Sequence, residues 1–98
     1  MGYYIQTAVH TNKAEWLIEH YNAIEVSRPE KFSDIPRDTA IIVIVQNGSF
    51  DACGYAYDEL EFARMGPRPG DYRPMRYLLM NKQVVENLIG VIPIRSLI

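Results

Sequence analysis

Ala40-Ile-Ile-Val-Ile-Val45 decides the fold of this chain. The run is β-branched after its first residue, with no polar residue interrupting it. A strand with one wet face alternates apolar and polar side chains, so this one is covered on both faces. The sequence therefore predicts a central buried strand over residues 40–46, with helices on at least one face of its sheet.

Asn47-Gly48 follows directly, a dipeptide suited to the centre of a type I′ hairpin because both residues tolerate positive φ. The returning arm is expected over Phe50 to Tyr57. There the small residues Ala52, Gly54 and Ala56 alternate with Cys53, Tyr55 and Tyr57, and Tyr55 and Tyr57 are expected to face outward. A helix starting near Phe50 fits the same alanine-rich stretch, so the residue pattern leaves both open.

Upstream, Tyr3 to Thr7 reads as a short strand. Asn12 with Glu15 has the spacing of a capping box. In a helix over 13–21, Ala14, Leu17, Ile18 and Tyr21 fall on one face with Trp16 beside them. Asn22 ends that helix and Ile24 to Val26 form a brief strand. Ser27 to Asp38, broken by Pro29 and Pro36, is a loop pinned to the core by Phe32 and Ile35.

Downstream, Asp58 and Glu61 make another capping box, opening a helix over 59–65 anchored by Leu60 and Phe62. Gly66 stands where a C′ glycine belongs. Pro67, Pro69, Gly70 and Pro74 force a loop, and Arg76 to Met80 form a strand. Asn81 caps a last helix over 82–89 with Val84, Val85, Leu88 and Ile89 as its apolar stripe, closed by Gly90. The whole is an α+β fold: a mixed sheet of about four to five short strands with about three helices.

The final segment, Val91 to Ile98, is dominated by large aliphatic side chains, each forgoing roughly 1.5–3 kcal/mol of burial if left in water. It is expected to pack on its own domain or to add a strand across a homodimer boundary. Pro93 restricts any pairing there to an edge.

The chain has 98 residues, one domain's length, and 48% hydrophobic with 22% charged residues is an ordinary globular balance. Cys53 is the only cysteine, which rules out an intramolecular disulfide and favours the reducing cytoplasm. The first residues lack the basic and apolar regions of a secretory signal. The run 40–45 falls far short of the roughly 20 residues that span a bilayer. Gln6 stands where a myristoylation motif wants Ser or Thr. No membrane partner is expected. A net charge of −2 argues against nucleic acid as a partner.

Residues 51–61 carry Asp51, Asp58, Glu59 and Glu61 with no base, and residues 64–76 carry Arg64, Arg68, Arg73 and Arg76 against Asp71 alone. With Tyr55, Tyr57 and Tyr72 these arginines form the candidate partner- or ligand-binding surface, since arginine and tyrosine bring large contact area with a polar handle. Catalytic chemistry is weaker. Cys53 with His10 or His20 lies in an apolar setting that suits an inert thiol. The histidines lack metal-ligand spacing, so no metal is expected. No glycine-rich phosphate loop is present, because Gly66-Pro-Arg-Pro-Gly70 is stiffened by proline, and no cofactor is expected.

The frame Gly2-Tyr-Tyr-Ile, Asn12-Lys-Ala, Asp34-Ile-Pro, Asn47-Gly-x-Phe-Asp-Ala, Tyr57-Asp-Glu-x-Glu-Phe62 and Arg73-Pro with Leu78-Leu-Met resembles a family of small uncharacterised proteins of tailed bacteriophages and prophages. The resemblance spans most of residues 2–90, and the apolar tail departs from it. It carries no catalytic or binding residue over. It implies a phage accessory protein in the host cell cytoplasm, of a kind that binds and disables a host or bacterial-defence protein. The expected function is thus non-catalytic inhibition by steric occlusion. A nucleotide-type ligand binder is the alternative, and a small enzyme the third.

Overall fold

In the computed structural model, residues 3–4, 9–56, 58–66, 69–70 and 73–88 are described. The run that opens the sequence analysis is the middle of a long strand. Strands β1 (Tyr3–Tyr4), β2 (Ile24–Val26), β3 (Thr39–Asn47), β4 (Phe50–Ala56) and β5 (Met75–Asn81) form one sheet in the order β1-β4-β3-β5-β2. Helices α1 (Lys13–Tyr21), α2 (Glu59–Arg64) and α3 (Lys82–Leu88) complete the α+β fold. All four strand pairings are antiparallel, so the sheet is not the mixed one expected. Only β3 and β4 are joined by a hairpin; β4 and β5 flank β3 and run parallel to each other, so the connection through α2 crosses over β3.

β3 is covered on both faces, as its composition requires. Ile42 and Ile44 join Cys53, Tyr55, Leu78 and Met80 beneath Ala14 and Leu17 of α1 and Val85 of α3. Ile41 and Val43 face the other way, onto Ala56, Tyr77 and Phe62 of α2, where Phe32 and Ile35 pin the long loop. Ile41, Ile42 and Ile44 are wholly inaccessible to solvent. The period of two along β3 thus splits one apolar run between two half-cores.

The returning arm is a strand, not a helix: Val43 lies opposite Gly54 and Asn47 opposite Phe50. That register places the tight turn at Gly48-Ser49, one residue later than expected. Gly48 has φ 63° and Ser49 is not in the left-handed region, the glycine-first pattern of a type II′ turn.

Two helix ends depart from expectation. Asn12 is itself left-handed at φ 58° and makes no side-chain cap. The cap comes from across the chain, where Asp51 Oδ2 accepts from Lys13 N at 3.2 Å. At α2, Asp58 Oδ1 accepts from Glu61 N at 2.8 Å as expected, but α2 ends at Arg64 with Met65 as its C-cap. Gly66 does not take positive φ. Its lack of a side chain matters for another reason: a Cβ there would stand 2.9 Å from Arg28 Nη2. Asn22 ends α1 in the left-handed region, its N–H donating to Leu17 O, and Asn81 Oδ1 caps α3 through Gln83 N at 2.9 Å. The tail 91–98 and Gly90 lie outside the described residues.

Candidate functional site

The expected surface joined seven residues, and the structure does not bring them together. Tyr57, Arg68 and Tyr72 lie outside the described residues. Tyr55, expected to face outward, is 3% exposed. It shares the parity of Cys53 along β4, and that face is roofed by α1 and α3. A tyrosine in that position is core, not a stacking platform.

Arg76 is occupied in a different way. It occupies β5 opposite Ile44, so its side chain emerges on the α1 face. There Nε and Nη2 donate to Glu25 at 2.8 and 2.7 Å, and Nη1 donates to Glu15. The guanidinium holds both carboxyls below the usual glutamate range, and they hold it firmly charged. Its positive charge is matched by two partly exposed carboxylates, joining helix α1 to edge strand β2.

Arg64 lies on the other side of the sheet, in the last turn of α2, where a cation complements the helix dipole. It is exposed, as are Asp58, Glu59, Leu60 and Ala63. Phe62 faces inward and is 3% exposed, so the α2 helix turns Glu59, Leu60 and Ala63 outward. Leu60, expected to anchor the helix, is instead 61% exposed. Arg73 is exposed beside Pro74, just before β5.

Two groups of chemical interest were hidden from sequence reasoning. Asp51, counted among the surface acids, is 6% exposed; its N–H donates to His10 O at 2.7 Å while its carboxylate caps α1. Arg28, a single basic residue before Pro29, packs its guanidinium 4.3 Å from the centroid of Phe62 and 5.5 Å from that of Tyr77. Nothing in its sequence context signals this, because both rings lie more than thirty residues away in the chain.

Buried desolvation pushes the Cys53 thiol up to about 12. Such a thiol carries no thiolate at neutral pH and is no nucleophile. Among the described residues no group of three metal-ligating side chains converges, and no helix is long and apolar enough to cross a membrane. Shallow depressions are found among the described residues. One, of about 350 Å³, lies between Phe32, Arg37 and Lys82; another, of about 540 Å³, lies over His10, Trp16 and Glu19. Searches of protein-family models, curated proteins and solved structures find no match to this chain.

Proposed function

We propose that this chain is a non-catalytic binding protein that docks on another protein through the outer face of α2. The observation that carries this reading is Leu60: a large aliphatic 61% exposed, flanked by exposed Glu59 and Arg64. Burying one such side chain at a protein contact is worth roughly 1.5–3 kcal/mol, and a charged rim around it supplies orientation. In the same reading the chain is a phage accessory protein, and its target is a host or bacterial-defence protein in the cytoplasm that it blocks by occupying its surface. The nucleotide-ligand alternative rests on stacked tyrosines and arginines; of these, Tyr55 is buried and Arg76 is paired with two carboxylates.

Affinity capture from bacterial lysate tests this when wild type is compared with Leu60→Asp/Arg64→Glu and with Glu86→Lys on α3. Expected is a partner retained by wild type and Glu86→Lys and lost by the α2 double variant, all three giving the same circular dichroism. Equal capture by wild type and both variants rejects the α2 surface.

A further inference from the structure

We propose that Asn47-Gly48 is a self-modifying site, where the chain converts Asn47 to aspartate or isoaspartate with water as the only co-reactant. The dipeptide is not the turn centre that its composition predicts: Asn47 lies opposite Phe50, leaving Gly48-Ser49 at the tip. All four of these residues are exposed. Among the described residues, neither the Gly48 N–H nor the Asn47 side-chain amide is engaged in a hydrogen bond. A side chain on the following residue would shield its amide nitrogen from an attack on the asparagine, and glycine removes that shield. Nothing else crowds the tip, since a Cβ at Gly48 would meet no atom within 4 Å.

The chemistry needs no oxidant or reductant. Gly48 N gives up its proton and attacks Asn47 Cγ; the new bond closes a five-membered imide, and the side-chain nitrogen leaves as ammonia with a proton. Water then breaks one of the two carbon–nitrogen bonds in the ring. Cleavage at Cγ leaves aspartate on an ordinary backbone. Cleavage at the main-chain carbonyl leaves isoaspartate, whose backbone runs through Cβ and is one methylene longer. Ring closure twists Asn47 out of the extended form, and the last rung of a hairpin opens at little cost. The other asparagines, Asn12, Asn22, Asn81 and Asn87, all precede a residue with a side chain. Two are also held: Asn81 Oδ1 accepts from Gln83 N and Asn87 Oδ1 from Gln83 Nε2. Asn47 and Phe50 are cross-strand partners whose side chains share a face, and Phe50 is 46% exposed. The reaction therefore sets a carboxylate beside an exposed aromatic ring, adding one negative charge to a chain of net charge −2. It needs no partner protein, so it stands apart from the docking reading.

Peptide mapping by mass spectrometry tests the site, on full chain incubated at pH 6 and pH 8, native and unfolded in guanidinium chloride. Expected is a gain of about one dalton at residue 47, faster at pH 8, with aspartate and isoaspartate both formed. Because the tip opens so easily, the native rate should lie within about fivefold of the unfolded one. Gly48→Ala should slow the reaction at least several-fold. Should that substitution disturb the hairpin, the two sequences are compared unfolded, where the turn plays no part. A native rate below that fivefold window, aspartate formed without isoaspartate, or Gly48→Ala reacting as fast as wild type when unfolded would each overturn the proposal.

Discussion

Arg76 grips Glu25 with two parallel hydrogen bonds, Nε to Oε2 at 2.8 Å and Nη2 to Oε1 at 2.7 Å, while its third nitrogen reaches Glu15. Edge strand β2 spans only Ile24 to Val26 and has a single neighbour, β5. The arginine therefore ties a three-residue edge strand to helix α1. All three side chains are partly exposed, at 24% for Arg76, 50% for Glu15 and 42% for Glu25, so solvent screening discounts the gain. Arg76→Ala should lower stability to urea by about 1 kcal/mol, and Arg76→Lys should recover less than half of that, because an ammonium cannot bridge a carboxylate side-on.

The same cluster sets an acid dependence. Glu15 and Glu25 titrate below the ordinary 4.5 because of their bonds to Arg76. A depressed folded value gives stability that is complete above 4.5 and drains away as pH falls through the depressed values. Urea midpoints measured from pH 6 down to pH 3 should fall more steeply for wild type than for Arg76→Gln, which has no such bonds to lose.

Glu61 runs the other way. Burial, then repulsion from Asp58, raises its carboxyl above 4.5, and its Oε2 is buried with no hydrogen-bond partner. A raised folded value means the fold prefers the protonated acid, so stability is lost as pH climbs through it. Glu61→Gln removes the charge and offers an amide donor toward Asp58. At pH 7 the substitution should stabilise by up to about 1 kcal/mol, and the difference from wild type should vanish near pH 3. A loss of stability at pH 7 would show that the carboxylate has a partner that the present geometry lacks.

Asp51 joins the hairpin to the first helix. Its carboxylate caps Lys13 N from 38 residues away, and its own N–H donates to His10 O. Loss of an N-cap costs about 1 kcal/mol, reaching about 2 in partly buried settings. Asp51→Ala should cost that much and should speed hydrogen exchange at Lys13 while leaving the α3 amides protected.

Sequence legibility followed the distance over which each residue acts. β3 was legible because five β-branched neighbours mean one thing wherever they occur, and α1, α3 and the Asp58 cap were legible because their signals lie within one helical turn. The Asn12–Glu15 box failed because tertiary partners outbid local ones: Asp51 took the cap and Arg76 took Glu15. Tyr55 failed because strand parity says which side chains share a face, not which face is roofed. The candidate surface suffered most. Arg64 and Arg76 are near in sequence, yet the sheet stands between them, and charge counting along a chain cannot see a sheet's two sides.

Cys53 gives the cleanest probe of the core itself. It sits at 3% exposure on β4 facing α1 and α3, and burial lifts its thiol from an ordinary 9.0 to about 12. Reaction with a disulfide reagent needs both access and a thiolate, and the native state withholds both. Labelling at pH 8 should therefore proceed only through opening of the sheet, its rate rising with urea in step with global unfolding. Between pH 9 and 12 the unfolded thiol ionises first, so wild-type stability should fall with rising pH in that window. Cys53→Ala should make that slope shallower by the share the thiol contributes. Rapid labelling of the native protein at pH 8, at a rate that urea does not change, would place the thiol outside the core and break the parity argument for Tyr55 along with it.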